Sequence, residues 1–246
     1  MIALVALAFG LWGLPQTSPS PAGPTQRVDE LYLQGPNPTT DREALALAEE
    51  AFGEDPRNYD FVWRLSRACT QLAGTAPKEE KRVLLDRAIK IGEQAVALSP
   101  QRPEGHYWLG ASCGQSAALS GMFKAFGLAG RLRSEMEAVL RLEPDYEGGD
   151  AFRALAELDT QLPSLFGGSR SRAIARSEEG VRRNPGNLEL RLTLAKAYLA
   201  DGKREPARRV LETLVDFPVD PSRPNASRET RAEAARILAS MPPPNH

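Results

Sequence analysis

From Asp41 to Met241 apolar residues recur at intervals of three and four, and no stretch alternates apolar and polar residues as a half-buried strand would. The pattern predicts an all-α fold. Four dipeptides interrupt it: Asp55-Pro56, Ser99-Pro100, Glu143-Pro144 and Asn184-Pro185. Pro56, Pro100 and Pro144 lie 44 residues apart, and Pro185 follows after 41. Proline cannot continue a helix, so each one closes an amphipathic segment. Twelve residues before each stands a small or aliphatic residue, Ala44, Ala88, Leu132 and Ala173. Shortly after three of them comes a recurring frame: Val62-x-x-Leu65-Ser66-x-x-Cys69, His106-x-x-Leu109-Gly110-x-x-Cys113 and Arg191-x-x-Leu194-Ala195-x-x-Tyr198.

That frame resembles the tetratricopeptide repeat, whose pattern is W-x-x-L-G-x-x-Y, then A-x-x-x-F, then P. Leu194, Ala195, Tyr198, Gly202, Ala207 and Leu211 follow it most closely, with an Asp201-Gly202 turn between the two helices. The earlier units carry ten, ten and seven more residues than the family's 34. The expected architecture is a tetratricopeptide-like α-solenoid of antiparallel helix pairs with lengthened repeats. Its array spans 41–218, with units near 41–56, 59–100, 103–144, 147–185 and 188–218. A capping helix and a loose tail are expected over 219–246, and a Pro/Ser-rich linker or arm over 23–40. Within that arm, Arg27 to Leu33 reads as a short pairing element.

The lengthened units, with WRL (Trp63 to Leu65), HYWLG (His106 to Gly110), YEGGDAFRALAEL (Tyr146 to Leu158) and LPSLFGGSRSRA (Leu162 to Ala173), resemble the T component of tripartite TRAP transporters, the TatT family. That family is in turn distantly similar to the regulator of microtubule dynamics proteins. The resemblance implies an envelope protein that associates with a periplasmic solute-binding protein and has a cleft suited to an apolar small molecule. The resemblance to the tetratricopeptide repeat implies that positions 2, 5, 9 and 12 of each first helix face the concave side. Counting from Tyr59, Pro103, Glu147 and Leu188 places Trp63, Arg67, Tyr107, Ala111, Leu155, Leu192 and Lys196 there as candidate contacts. Trp63, Arg67 and Tyr107 stand out, because aromatic residues and Arg dominate binding energies. The stretch Gln115 to Gly130 adds Met122, Phe123 and Phe126, read either as an apolar mouth of the cleft or as the core of a lengthened helix pair.

Composition changes the picture mainly by exclusion. The 246 residues hold 31 Lys and Arg against 32 Asp and Glu, so no overall field attracts nucleic acid. Only two histidines and two cysteines are present, which leaves no His and Cys set for a metal. His106 and Cys113 fall where the repeat family places packing residues, and Cys69 occupies the slot of Cys113 one repeat earlier. Two free, buried thiols are expected, with no catalytic pair, no enzyme activity and no cofactor. Residues 2–14, IALVALAFGLWGL, have the length of a signal-peptide core, and cleavage before Gly23 follows small residues. The expected location is therefore periplasmic or secreted, with no lipid-anchor cysteine, and a cytoplasmic location is the alternative. Competing function classes are an intracellular scaffold or co-chaperone and a carrier of a lipid or other apolar molecule. Oligomeric state is left open.

Overall fold

The computed structural model describes residues 23–220 and 224–242. The apolar run read as a signal peptide, and the end of the C-terminal tail, lie outside the described residues. Among the described residues there are eleven α-helices and no strand. They are α1 (Pro24–Leu33), α2 (Pro38–Glu54), α3 (Tyr59–Thr75), α4 (Lys78–Leu98), α5 (Pro103–Ala118), α6 (Met122–Leu142), α7 (Asp150–Gln161), α8 (Arg170–Arg183), α9 (Leu188–Ala200), α10 (Arg204–Val215) and α11 (Pro224–Ser240). Helices α3/α4, α5/α6, α7/α8 and α9/α10 are antiparallel pairs stacked in sequence, a solenoid of the expected kind.

The prolines act through the residue before them. Asp55, Ser99, Glu143 and Asn184 take φ of −147°, −147°, −153° and −122°, away from helix, because the proline ring crowds a helical predecessor. Helices restart on side-chain caps: Asn37, Asn58, Ser169 and Asn187 each accept a backbone N–H of the following first turn. The residues added to the early repeats are helical rather than looped. Helices α4 and α6 have 21 residues each, against 14 in α8 and 12 in α10.

Small residues let the pairs close. A Cβ on Gly110 would lie 2.9 Å from Met136 Cε, and one on Gly180 would lie 2.9 Å from both Phe152 Cβ and Leu190 Cδ2. Leu65, Leu109 and Leu194 each sit nine residues after a proline and fill the seams, the first two fully buried. The third unit departs from this register. A 3₁₀ turn, Tyr146–Gly149, precedes α7, with left-handed φ at Glu147 (49°), Gly148 (65°) and Gly149 (80°). Glycine takes that conformation without steric cost, and the turn inserts two residues. The seam residue of this unit is therefore Leu155, eleven residues after Pro144, in the frame Phe152-x-x-Leu155-Ala156-x-x-Asp159.

Both ends of the array are covered by the chain itself. The segment read as a linker or arm contains α1, and α2 begins at Pro38 rather than 41. Val28 and Leu31 of α1 are buried, and Val28 packs with Leu65, Ala68 and Cys69 of α3. At the other end Ala234, Ile237 and Leu238 of α11 pack on Leu188, Leu192, Leu211 and Leu214.

Candidate binding cleft

Helix α3 packs against α5, and α7 against α9; α5 and α7 meet at one end, through Tyr107 and Asp150, and part beyond it. The gap follows the two-residue insertion before α7, and α6 forms its floor. It is a cleft of about 600 Å³, within the range of ligand pockets. The floor is apolar, with Ala129, Leu132 and Met136 of α6 beneath Ala111 and Gly114 of α5. The facing wall carries the cleft's charged groups, Asp150, Arg153 and Glu157 of α7 with Gln161, beside Ala154 and Leu158.

Hydrogen bonds close one end and satisfy the polar groups of the wall. The Tyr107 hydroxyl donates to Asp150 Oδ2 at 2.8 Å, and its ring meets Tyr146 edge-on at 5.3 Å. Burial pushes the Tyr107 hydroxyl well above its ordinary pKa, and the nearby carboxylate of Asp150 adds to the rise, so Tyr107 remains a donor. Tyr32 of α1 extends this end: its ring lies edge-on to Trp108 at 5.7 Å and its hydroxyl donates to Glu147 Oε2 at 2.7 Å. Arg153 donates to Asp150 through Nη2 at 2.9 Å and to Glu157 through Nη1 at 3.0 Å. Two carboxylates thus share one guanidinium, so the wall offers no spare cation to an anionic guest.

The structure distributes the residues singled out in the sequence over five places. Tyr107, Ala111 and Phe126 line the cleft together. Trp63 and Arg67 do not face solvent, being 6% and 3% exposed. Helix α1 covers them: Arg67 donates to Asp29 at 2.5 Å, and its guanidinium lies 4.5 Å from the Tyr32 ring and 4.9 Å from the Trp63 ring. Expecting a free surface there is corrected by the length of chain that folds back. Leu155 is fully buried and points into the seam, because the inserted turn shifts the concave positions of α7 to Asp150, Arg153 and Glu157. Leu192 is buried against α11, and Lys196 pairs with Glu233 of that helix at 2.7 Å. Met122 and Phe123 are exposed on the first turn of α6, outside the cleft lining. Sequence reasoning missed the α7 wall, and the only signal for it was the Gly148-Gly149 pair after Pro144.

His106 and Cys113 lie outside the cleft. His106 Nδ1 is 2.5 Å from Glu135 Oε2 and its Nε2 is 3.0 Å from the Pro100 carbonyl oxygen. Both partners only accept, so the ring donates from both nitrogens and carries a positive charge. The hydrogen bond to Glu135 raises the imidazole pKa above its ordinary 6.5; burial works against the rise and the Pro100 carbonyl supports it. Arg131 shares the same carboxylate at 2.6 Å. The imidazole thus ties α5 to α6, with no free nitrogen to act as a base. Cys69 and Cys113 are free and buried, and burial pushes both thiols up to about 11, so each stays protonated near neutral pH.

Residues 25–148 match the family model described as regulator of microtubule dynamics protein 1-3. The chain belongs to that family. Residues 168–226 match a tetratricopeptide repeat model, so family membership and repeat architecture together cover most of the array. No curated protein matches the chain. Among solved structures, a thermophilic TPR protein of Thermus thermophilus is similar at 19% identity, covering 88% of this chain and 97% of that one, with a TM-score of 0.65. The MamA protein is similar at 15% identity, covering 89% of this chain and 96% of its own, with a TM-score of 0.51. At these identities the likeness shows the fold. The chain is a helical scaffold of the tetratricopeptide type, a class that binds other proteins on stacked helix pairs.

Proposed function

We propose that this chain is a non-enzymatic scaffold of the cell envelope whose open cleft between α5 and α7 receives an apolar guest. In this reading it acts as the accessory T component that associates with a periplasmic solute-binding protein of a TRAP-type transporter. The observation that carries the reading is the cleft itself. Its floor of small and aliphatic side chains accepts an apolar chain, while the α7 wall supplies neutral hydrogen bonding through Gln161 and an internally satisfied Asp150–Arg153–Glu157 set. The guest this chemistry favours is an uncharged, mostly apolar molecule. A clamp for acidic peptide tails needs several free cations on the concave side. Here Arg67 is sealed under α1, Arg153 is shared by two carboxylates and Lys196 is paired with Glu233.

Affinity isolation of the full chain from its own envelope fraction tests the location and the partner. A solute-binding protein is expected to co-purify in stoichiometric amount. Recovery of cytosolic proteins alone would overturn the envelope reading while leaving the cleft untouched.

A further inference from the structure

Among the described residues, four of the seven exposed large apolar side chains lie on two neighbouring segments at one tip of the array, away from the cleft floor. Phe123 is 91% exposed and Leu165 86%, and Met122 and Phe166 are exposed beside them in sequence. Met122 and Phe123 open α6, whereas Leu165 and Phe166 belong to a 3₁₀ turn, Ser164–Phe166, between α7 and α8. Phe126 and Phe166 stack at 4.2 Å with their planes 19° apart, joining the two elements into one apolar surface. Phe166 is held over α6 by this stack, and Arg133 of α6 and Arg172 of α8 both donate to the Gly167 carbonyl at the base of the turn.

The charge around this tip is mainly cationic. Of helices α2 to α10, only α6 and α8 have no acidic residue in the first turn, and these are the two that meet here. Lys124 and Arg170 stand in those first turns instead, both exposed, against the electrostatic preference of a helix N-terminus for anions. Asp86 opposes Lys124 at 3.6 Å across open solvent. The buried Asp159 carboxylate is shared by Arg133, Arg172 and Arg176, and Glu137 pairs with Arg176, so three cations meet two carboxylates and one positive charge is left over. Aromatic and aliphatic side chains projecting from a cationic rim match the apolar interior and anionic headgroups of a bilayer surface. A second copy of the chain is a poorer match, because a two-fold contact through this tip sets the same cations against each other.

We infer that the tip formed by Met122, Phe123, Leu165 and Phe166, rimmed by Lys124, Arg170 and Arg172, docks on the surface of an anionic lipid bilayer. This docking does not require the cleft to be occupied, nor the transporter reading to hold. Vesicle flotation of the full chain, with phosphatidylcholine vesicles that contain or lack phosphatidylglycerol, tests it. Wild type, F123E/L165E and K124E/R170E are compared, all altered only at exposed positions, with the N-terminal apolar run identical in each so that its own contribution cancels. Wild type is expected to float with the anionic vesicles, and each variant to bind them about tenfold or more weakly. Equal flotation of F123E/L165E and wild type would overturn the proposal, as would equal binding of wild type to neutral vesicles. So would a wild-type dimer in light scattering that F123E/L165E converts to monomer, since the tip would then be an interface between copies.

Discussion

Leu155→Ala is expected to lower the unfolding free energy by about 2 to 5 kcal/mol, the cost of emptying a well-packed leucine site. Leu158→Ala, one turn later on the same helix, is expected to cost about 1 kcal/mol or less, because Leu158 is only half-buried and already borders the open cleft. Counting the repeat from Glu147 places both leucines on the concave side, where their losses would be similar. The inserted 3₁₀ turn separates them: Leu155 joins Tyr107, Trp108, Leu109 and Met136 in the central core, fully buried. Urea denaturation of the two variants reads the difference directly. Equal losses would place the frame of α7 where simple counting puts it and remove the physical basis of the polar wall.

The second large effect is expected at Asp159. Its side chain is fully buried, and Arg133, Arg172 and Arg176 donate to it at 2.8, 2.5 and 2.8 Å, drawing α6 and α8 onto the end of α7. Asp159→Ala removes the one anion shared by three cations. Stripping one partner from a fully buried pair costs about 3 to 5 kcal/mol; here the partly exposed guanidiniums regain water, so about 3 kcal/mol is expected. The pH dependence has a definite sign. Burial pushes the Asp159 carboxyl up, but hydrogen bonds from Arg172 and Arg133 outweigh it and hold the folded-state value below the ordinary 3.8. A carboxylate with a depressed folded pKa stabilises at pH above its unfolded value and loses that contribution as pH falls through the folded one. The gap between wild type and D159A is therefore expected to be constant from neutral pH to about 4 and to shrink below 3.8. A gap that widened on acidification would contradict the ion-pair account.

How much of this was legible in the chain depends on whether the signal was local. The helix ends were, because a proline acts on its own neighbour: Asp55, Ser99, Glu143 and Asn184 leave the helix as backbone sterics require. The packing roles of Leu65, Leu109 and Leu194 were also legible, since each stands at a constant distance from a proline. Leu155 was misplaced because Gly148-Gly149 is compatible with either a longer helix or an inserted turn, and only the left-handed backbone decides between them. Val28, Leu31 and Tyr32 do show helical spacing, yet nothing in ten residues states which surface they will cover. That Trp63 and Arg67 lie under α1, and Leu192 and Lys196 against α11, is a tertiary outcome. It confines the open concave surface to the middle of the array. Sequence equivalence among repeats suggests four similar sites; the terminal helices cover the outer ones and leave the cleft between α5 and α7 open.

That open cleft between α5 and α7 is the central claim. The most direct measurement is native mass spectrometry of the full chain, purified without detergent, beside A111W, whose indole would fill the space between α5 and α7. Wild type is expected to carry a discrete added mass that A111W lacks, with both proteins melting alike. A bare wild-type spectrum, or the same adduct at the same occupancy in A111W, would show that the guest is absent or lodged elsewhere.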